Sequence, residues 1–302
     1  MNKVYFGDCR DSMRQMAKDG VKVQMCVTSP PYYGLRDYGV NGQIGAEQTP
    51  QHFIDNLVEV FACVWDILAE DGTLWVNLGD TYSAGGRGAG SEIQSANKGS
   101  ITGNVLGTWK VDGYRPKNLL GMPWKLAFAL QEFGWNLRQD IIWHKPNPMP
   151  ESVTDRCTKA HEYIFLLSKN QKYYYDYEAI KEPVENMGKP RKFRDGDPAI
   201  TLRNDEGRLY IPKEDRNKRS VWTVNTSTFK GAHFATYPQE LIEPCILAGS
   251  KVGDIVLDPF FGSGTTGQVA QNLGRQWIGC ELNKEYETLQ NQRLQQQGLE
   301  LV

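Results

Sequence analysis

The feature that most constrains the fold is a regular alternation of short apolar segments with longer helical segments. Residues 22–28 form a mostly apolar run, typical of a strand buried on both faces of a parallel sheet. Residues 53–68 follow with apolar side chains at three- and four-residue spacing, so a helix is predicted that Thr49 caps, Pro50 begins and Gly72 ends. The alternation recurs along the chain and predicts an α/β fold, with a mostly parallel sheet covered by helices on both faces.

The other predicted elements continue this pattern. Strands are expected at residues 4–6, 73–78, 137–144, 162–167, 254–257 and 277–280, and helices at residues 119–133, 238–248 and 265–273. Two segments interrupt them. Residues 84–113 contain eight glycines and are interpreted as a long loop, and residues 170–219 have weak periodicity and are interpreted as an insertion.

Composition excludes several classes of protein. The 302 residues are 40% apolar and 23% charged, which is ordinary for a globular chain and excludes general disorder. No apolar run approaches the ~20 residues that cross a bilayer, and the first residues lack a secretory signal, so we expect a cytoplasmic protein without membrane contact. The six cysteines and four histidines show neither C-x-x-C nor H-E-x-x-H spacing, and we predict no metal site.

A glycine-rich turn near the C-terminus predicts a nucleoside site. Residues 256–267 read as a strand, a turn with glycines at 262, 264 and 267, and the start of a helix. Small residues at such a turn let the backbone approach a ligand and present amide N–H groups to it. Glu281 ends the next strand, 23 residues after Asp258, where a carboxylate can accept both hydroxyls of a ribose. The turn therefore predicts an adenosine-containing ligand.

The same turn distinguishes between two such ligands. Asp258 stands just before the first glycine, where its carboxylate would repel the pyrophosphate of a nicotinamide dinucleotide. Only 21 residues follow Glu281, too few to complete a six-stranded dinucleotide fold. S-adenosylmethionine has no phosphate and carries a cationic sulfonium, so it fits an acidic turn better.

A second motif predicts a site for an aromatic amine. Thr28-Ser-Pro-Pro-Tyr32 follows a buried strand directly, which is where open α/β sheets bind ligands. Two prolines fix the backbone and leave carbonyl oxygens free to accept hydrogen bonds. The oxygens of Ser29 and Pro30 could hold the two hydrogens of an exocyclic amine while the ring of Tyr32 stacks on its heterocycle.

Together these motifs resemble the beta class of amino-methylating DNA methyltransferases. The matching segments are Gly7-Asp8-Cys9 and residues 28–32, 72–80, 161–169 and 258–267, so the resemblance extends over most of the chain. It implies a Rossmann-like S-adenosylmethionine-dependent methyltransferase fold with a permuted motif order. It further implies an enzyme that binds S-adenosyl-L-methionine and flips its target base out of double-stranded DNA.

The resemblance also implies roles for individual residues. Asp8 would contact the adenine amine of the cofactor, Glu281 its ribose, and Phe260 with residues 262–264 its methionine part. The catalytic set would be Ser29, Pro30, Pro31 and Tyr32. The cofactor-binding set would be Asp8, Cys9, Thr28, Asp258, Phe260, Gly262, Ser263, Gly264, Thr265, Thr266 and Glu281. Many members of the class also have a lysine before the cofactor strand. Residues 233–241 of this sequence lack it, so no residue here is assigned the contact that this lysine makes in the class.

Methyl transfer to the N4 amine of cytosine is the expected reaction, because Ser29 rather than aspartate opens the motif and within the class serine favours cytosine. Adenine N6 stays as the alternative, since a hydroxyl can serve either amine. Methylation at cytosine C5 is rejected because no Pro-Cys pair supplies the nucleophile. An inert DNA-binding protein, a nicotinamide oxidoreductase and an RNA or protein methyltransferase remain competing hypotheses.

Locally basic segments predict the DNA contacts. Residues 1–169 would form the base-binding half of the catalytic domain, residues 170–220 the target-recognition insertion, and residues 221–302 the cofactor-binding half. A cognate restriction endonuclease and a homodimer are open as partners. The predicted DNA-binding residues are Arg87, Lys98, Lys110, Arg115, Arg191, Lys192, Arg194, Arg216, Lys218 and Arg219.

Overall fold

The computed structural model describes residues 1–35, 38–83, 111, 113–184, 191–192, 209–210, 214–226 and 237–295, with only the backbone described at 191–192 and 209–210. Two compact units make up the chain. The larger joins residues 1–175 to residues 220–302, and the smaller spans residues 176–219. The predicted DNA contacts Arg87, Lys98, Lys110 and Arg194 lie outside the described residues, as do residues 84–110 of the glycine-rich segment.

The larger unit is built on an eight-stranded sheet. Its strands are β1 (Lys3–Phe6), β2 (Val23–Thr28), β3 (Leu68–Leu78), β4 (Asn136–His144), β5 (His161–Ser168), β10 (Val221–Thr223), β11 (Ile255–Asp258) and β12 (Gln276–Glu281). Their order across the sheet is β1-β12-β11-β2-β3-β5-β4-β10. Strand β5 alone runs antiparallel to its neighbours, and the other pairings are parallel. The predicted α/β fold with a mostly parallel sheet is confirmed.

Helices pack on both faces of this sheet. They are α1 (Cys9–Lys18), α2 (Pro50–Ile67), α3 (Met122–Phe133), α4 (Gln239–Gly249), α5 (Thr265–Asn272) and α6 (Glu287–Gln295). Successive side chains of β3 face opposite sides of the sheet. Leu74 and Val76 belong to the hydrophobic core formed with α1, α2 and α3, whereas Trp75 does not. On the other face α4 approaches closely, since a Cβ at Gly249 would lie 3.0 Å from the sulfur of Met25.

The smaller unit contains two short antiparallel strand pairs. Strand β6 (Glu182–Pro183) pairs with β9 (Asp215–Arg216), and β7 (Arg191–Lys192) pairs with β8 (Leu209–Tyr210). The role of this segment in target recognition stays a prediction.

The ends of the strands place the predicted site at one edge of the sheet. Strands β1, β2, β3, β4, β11 and β12 all point to the same edge, where ligands bind in open α/β sheets. Strand β5 runs the other way, so its first residues lie at that edge too: His161 is paired with His144, the last residue of β4. Residues that follow six different strands and residues that open β5 are therefore brought together.

Three predicted boundaries are wrong by three residues or more, namely the end of α2, the start of β3 and the start of α3, and each has a local cause. Helix α2 ends at Ile67 rather than Gly72, because Leu68 is extended and begins β3. Gly72 instead permits a close approach of strands, since a Cβ there would lie 2.8 Å from the carbonyl oxygen of Gln24. Helix α3 begins at Met122 rather than at residue 119, because the carboxylate of Asp80 accepts the backbone N–H groups of Gly121 and Met122.

Helices α1 and α6 and strand β10 were not predicted. Helix α1 is capped by Asp8, whose Oδ1 accepts the backbone N–H of Arg10 at 2.8 Å. In the described part of the chain no helix is long and apolar enough to cross a membrane.

Candidate active site

The Ser-Pro-Pro-Tyr segment leaves the end of β2 and places Tyr32 against the end of β3. A Cβ at Gly79 would lie 2.5 Å from Cε2 of Tyr32, so only glycine leaves room for the ring at this position. Gly45 borders the same segment from the other side, with φ +103° and the carbonyl oxygen of Tyr32 3.1 Å from where its Cβ would be. Gly79 therefore borders the ring of Tyr32 and Gly45 borders its backbone, and the sequence analysis singled out neither glycine.

The hydroxyl of Tyr32 is held by a carboxylate from β5. It donates a hydrogen bond to Oε2 of Glu162 at 2.6 Å, and the amide of Asn77 donates to the same carboxylate oxygen at 3.3 Å. Lys145 forms an ion pair with the other oxygen of Glu162, and both of these side chains are mostly buried. Burial, together with the charge of Glu162, raises the pKa of Tyr32 well above its usual value, so the phenol stays protonated and donates.

Glu281 forms the opposite wall. Its two carboxylate oxygens accept backbone N–H groups, from Gly262 at 2.7 Å and from Asn283 at 2.8 Å. Burial raises the pKa of Glu281 to about 7 despite these hydrogen bonds. Gly262 has φ +52°, a conformation that favours glycine, and it turns the chain so that its N–H reaches the carboxylate.

Asp8 lies at the end of the neighbouring strand β1, where Phe6 is in register with Glu281. Its carboxylate caps α1 and forms an ion pair with Arg10 at 2.6 Å. Hydrogen bonds from the Arg10 side chain lower the pKa of Asp8. Cys9 beside it is buried, and burial raises its pKa to about 12, so its thiol stays protonated.

Asp258 lies behind the glycine-rich turn rather than in front of it. It is buried, and its carboxylate accepts hydrogen bonds from the hydroxyls of Thr28 at 2.6 Å and Tyr237 at 3.0 Å, from the hydroxyl of Thr266, and from the N–H of Phe260 at 3.0 Å. Burial raises its pKa. This carboxylate ties β11 to β2 and to α5.

Helix α6 supports the turn from behind with two buried polar side chains. Gln290 donates a hydrogen bond to the carbonyl of Gly262 at 2.6 Å. Arg293 donates to the hydroxyl of Ser263 at 2.7 Å and also to the hydroxyl of Thr265. Three parts of the turn are thus fixed by one helix.

One cavity of about 750 Å³ joins these walls. It is lined by the predicted catalytic residues Ser29, Pro30, Pro31 and Tyr32 and by the predicted cofactor residues Asp8, Cys9, Phe260, Gly262, Ser263 and Glu281. The predicted cofactor residues that do not line it are Thr28, Asp258, Gly264, Thr265 and Thr266. They support the wall instead. Gly264, with φ +87°, caps α5. The side chains of the other four residues form the hydrogen bonds described above.

The cavity also has lining residues that the sequence analysis missed. Glu162 and Gly79 lie in segments that carried the family resemblance, but no periodicity or spacing indicated that they would meet Tyr32. Lys159 donates to the backbone carbonyl of Asp80 at 3.1 Å, and burial lowers its pKa. The remaining missed polar residues of the wall include Asn77, Asp80, Lys145, Glu151, His161 and Tyr237.

The predicted DNA-binding residues are only partly described. Arg115 is exposed before α3. Within the smaller unit, Arg216 and Arg219 both form ion pairs with Glu182, and Lys218 is half-buried. Of Arg191 and Lys192 only the backbone, in β7, is described. Among the residues that the structure describes, no group of His, Cys, Asp or Glu could hold a metal ion.

The chain is similar to known proteins in sequence and in fold. A family model described as DNA methylase matches residues 23–292. The Type II methyltransferase M.Cfr9I of Citrobacter freundii is 46% identical over 99% of this chain and 89% of its own, and M.SmaI of Serratia marcescens is 47% identical over 97% and 90%. Two solved structures share the fold. The PvuII cytosine-N4-specific DNA methyltransferase has a TM-score of 0.62 and 19% sequence identity, and the match covers 96% of this chain and 85% of that one. The M1.HpyAVI–SAM complex has a TM-score of 0.58 and 20% sequence identity, and the match covers 98% of this chain and 100% of that one.

Proposed function

Because the chain belongs to the N6/N4 family of DNA methylases, we propose that it transfers a methyl group from S-adenosyl-L-methionine to the N4 amine of a cytosine flipped out of double-stranded DNA. The resemblance to amino-methylating DNA methyltransferases is thereby confirmed at the level of the family. The observation that carries the proposal is the single cavity, which Ser29 and Tyr32 line on one side and Gly262 and Glu281 on the other.

The cofactor side of the cavity suits S-adenosyl-L-methionine. Glu281 is a buried carboxylate whose hydrogen bonds come from backbone amides, so it can also accept hydroxyls of a ribose. Asp8 follows the adjacent strand β1, and the aromatic side chain of Phe260 lines the same cavity. We assign Asp8 and Glu281 to the adenosine part and Phe260, Gly262 and Ser263 to the methionine part. When bound, the cofactor supplies an electrophilic methyl group on a sulfonium.

The base side suits a planar amine. The lone pair of an exocyclic amine is delocalised into its ring, which makes the nitrogen a poor nucleophile. We propose that Ser29 Oγ and the Pro30 carbonyl accept its two hydrogens and favour a pyramidal nitrogen. Positioning supplies much of the rest, since near-attack geometry is worth up to ~7–11 kcal/mol.

Tyr32 would stack on the same base. Its ring is fixed by Gly79 and its hydroxyl by Glu162, so the stacking surface exists before the base enters. A preorganised platform avoids the cost of ordering a side chain on binding. Glu162 and Lys145 act on the base through Tyr32 and are therefore proposed as positioning residues.

Cytosine is favoured over adenine by Ser29 at the head of the motif. The PvuII enzyme of the same fold carries cytosine-N4 specificity in its name, which is compatible with this choice. A hydroxyl can accept a hydrogen from adenine N6 as well, so that base is the second candidate.

The residues behind the cavity wall are assigned supporting roles. We propose that Asp258, Thr265 and Thr266 shape the glycine-rich turn without touching the cofactor.

The relatives M.Cfr9I and M.SmaI are named Type II methyltransferases, so we propose that this enzyme also serves in restriction–modification. In this proposal residues 176–219 read the recognised sequence.

Two assays test the proposal. Calorimetry should detect binding of S-adenosyl-L-methionine and no binding of a nicotinamide dinucleotide. Tritiated methyl should be transferred to unmethylated duplex DNA and not to RNA or protein, and Ser29→Ala should abolish the transfer while it retains cofactor binding. Transfer to RNA alone, or full activity of Ser29→Ala, would contradict the proposal.

A further inference from the structure

Met149 is an exposed apolar side chain at the cavity. It is 86% exposed, the highest exposure among the large apolar residues of the described chain, and yet it is one of the residues that line the cavity. Such a combination places Met149 at the rim, where the cavity opens. A single exposed apolar side chain is ordinary on a protein surface, but one that lines a binding cavity can contact what enters that cavity.

The backbone around Met149 is stiff. Pro148 precedes it and Pro150 follows it, and each proline fixes its own φ and restricts the residue before it. Met149 is thus presented by a segment with little backbone freedom, which reduces the entropy lost when its side chain enters a partner.

Both ends of this segment are anchored. At one end the N–H of Lys145 donates to the carbonyl of Ala160 at 2.8 Å, and the side chain of Asn147 accepts the N–H of Thr226 at 2.9 Å. At the other end Glu151 forms an ion pair with Arg156 at 2.6 Å. The segment from Lys145 to Glu151 is therefore a strap fixed at both ends, with the exposed Met149 between the two anchored ends.

The strap lies at the edge of the sheet that holds the base-side residues. It begins directly after β4, and its first residue, Lys145, is paired with Glu162, which in turn holds Tyr32. Met149 and Tyr32 line the same cavity.

We propose that Met149 inserts into the DNA duplex and fills the space that the target base leaves when it turns into the cavity. The inference rests on the proposed function, since it needs a base that leaves the stack. Proteins that distort duplexes insert apolar side chains between bases, and an unbranched thioether adapts to an irregular space. By occupying the vacated space, Met149 would slow the return of the base.

The test compares a paired target base with an unpaired one. The methylated position is first mapped by sequencing DNA from cells that express the chain, and two duplexes with that site are made. In one the target base is paired, and in the other it lies opposite an abasic site. A base without a partner needs little help to leave the stack, so it should not need the wedge.

The proposal predicts a loss confined to the paired duplex. Met149→Ala should lower kcat/KM by about tenfold or more on that duplex and by less than about twofold on the abasic one. Met149→Leu should retain activity on both. Val252→Ala is the matched control, because Val252 is a 74% exposed apolar residue that does not line the cavity, and it should change neither value.

Three results would overturn the proposal: full activity of Met149→Ala on the paired duplex, equal losses on both duplexes, or the predicted pattern in Leu35→Ala instead. Leu35 is the other exposed large apolar residue of the described cavity wall and is 40% exposed. Failure of the proposed function is distinguishable, because the unsubstituted enzyme would then methylate neither duplex.

Discussion

Thr28 and Asp258 lie 230 positions apart in the sequence and share a buried hydrogen bond of 2.6 Å. Thr28 is the last residue of β2 and precedes Ser29, whereas Asp258 is the last residue of β11 and precedes the glycine-rich turn. The bond therefore joins the segment that would hold the base to the segment that would hold the methyl donor.

Removing this bond should cost stability and loosen cofactor binding. Thr28→Val keeps the shape of the side chain and leaves a buried carboxylate with one donor fewer, so we expect a loss of about 1–3 kcal/mol in the free energy of unfolding. Urea denaturation measures it, and calorimetry should show weaker binding of S-adenosyl-L-methionine. Thr223→Val removes an exposed hydroxyl from β10 and should change stability by less than about 0.5 kcal/mol. Equal effects of the two variants would contradict the assigned role of Thr28.

The contact between Gly79 and Tyr32 gives a second prediction. Gly79→Ala should displace the ring and lower kcat by about tenfold or more, because the added Cβ would lie 2.5 Å from Cε2 of Tyr32. The stability cost of Gly79→Ala should be much smaller in a Tyr32→Ala background, where the ring is absent. Thermal unfolding of the four proteins of this cycle measures the coupling. An unchanged cost in both backgrounds would show that the ring is not the obstacle.

Glu281 predicts a pH dependence of cofactor binding. Its pKa is raised from 4.5 to about 7 by burial, so the folded protein holds this proton more tightly than the unfolded chain does. The contribution of Glu281 to stability is therefore largest below pH 4.5 and is lost as the pH rises to about 7. An ionised carboxylate is the stronger acceptor for ribose hydroxyls, so binding of S-adenosyl-L-methionine should strengthen as the pH rises through about 7.

Calorimetry at several pH values checks this prediction. Glu281→Gln should weaken binding and remove the pH dependence, and Glu285→Gln, a change at an exposed position of the same segment, should do neither. Binding that weakens as the pH rises would contradict the predicted role of the carboxylate.

Basic residues of the smaller unit predict the salt dependence of DNA binding. Replacing Arg216, Lys218 and Arg219 by glutamine should weaken binding and flatten the plot of log K against log salt by ~0.9 for each phosphate that is no longer neutralised. Fluorescence anisotropy measures both. The ion pairs of Arg216 and Arg219 with Glu182 bring the two guanidinium groups to one carboxylate.

A control variant removes equal charge from three exposed lysines elsewhere, at Lys18, Lys22 and Lys251. It should leave the slope close to that of the unsubstituted protein, because these lysines lie outside the smaller unit. An identical slope in both variants would exclude the proposed phosphate contacts.

The fold and the two halves of the site could be predicted because their signals are local. Alternating apolar segments indicate a parallel sheet, and the glycine-rich turn and the Ser-Pro-Pro-Tyr segment each carry their chemistry within a few residues. Glu162 could not be found in this way, because only the antiparallel placement of β5 brings it to Tyr32.

Two further features were hidden for physical reasons. Helix α6 buries Gln290 and Arg293, so it lacks the apolar periodicity that reveals most helices. Asp258 would look the same in the sequence whether it lined the cavity or supported the wall, and only its four donors distinguish these cases. Sequence patterns indicate which residues are near a site, whereas contacts decide which of them can touch a ligand.

The most direct test of the account follows the methyl group itself. The enzyme is incubated with S-adenosyl-L-methionine carrying a deuterated methyl group and with unmethylated duplex DNA, and the DNA is digested to nucleosides for mass spectrometry. The account predicts deuterated N4-methylcytosine, and none of it with Ser29→Ala. Deuterated N6-methyladenine alone would contradict the choice of base, and no labelled nucleoside from a protein that binds both ligands would contradict methyl transfer within the cavity.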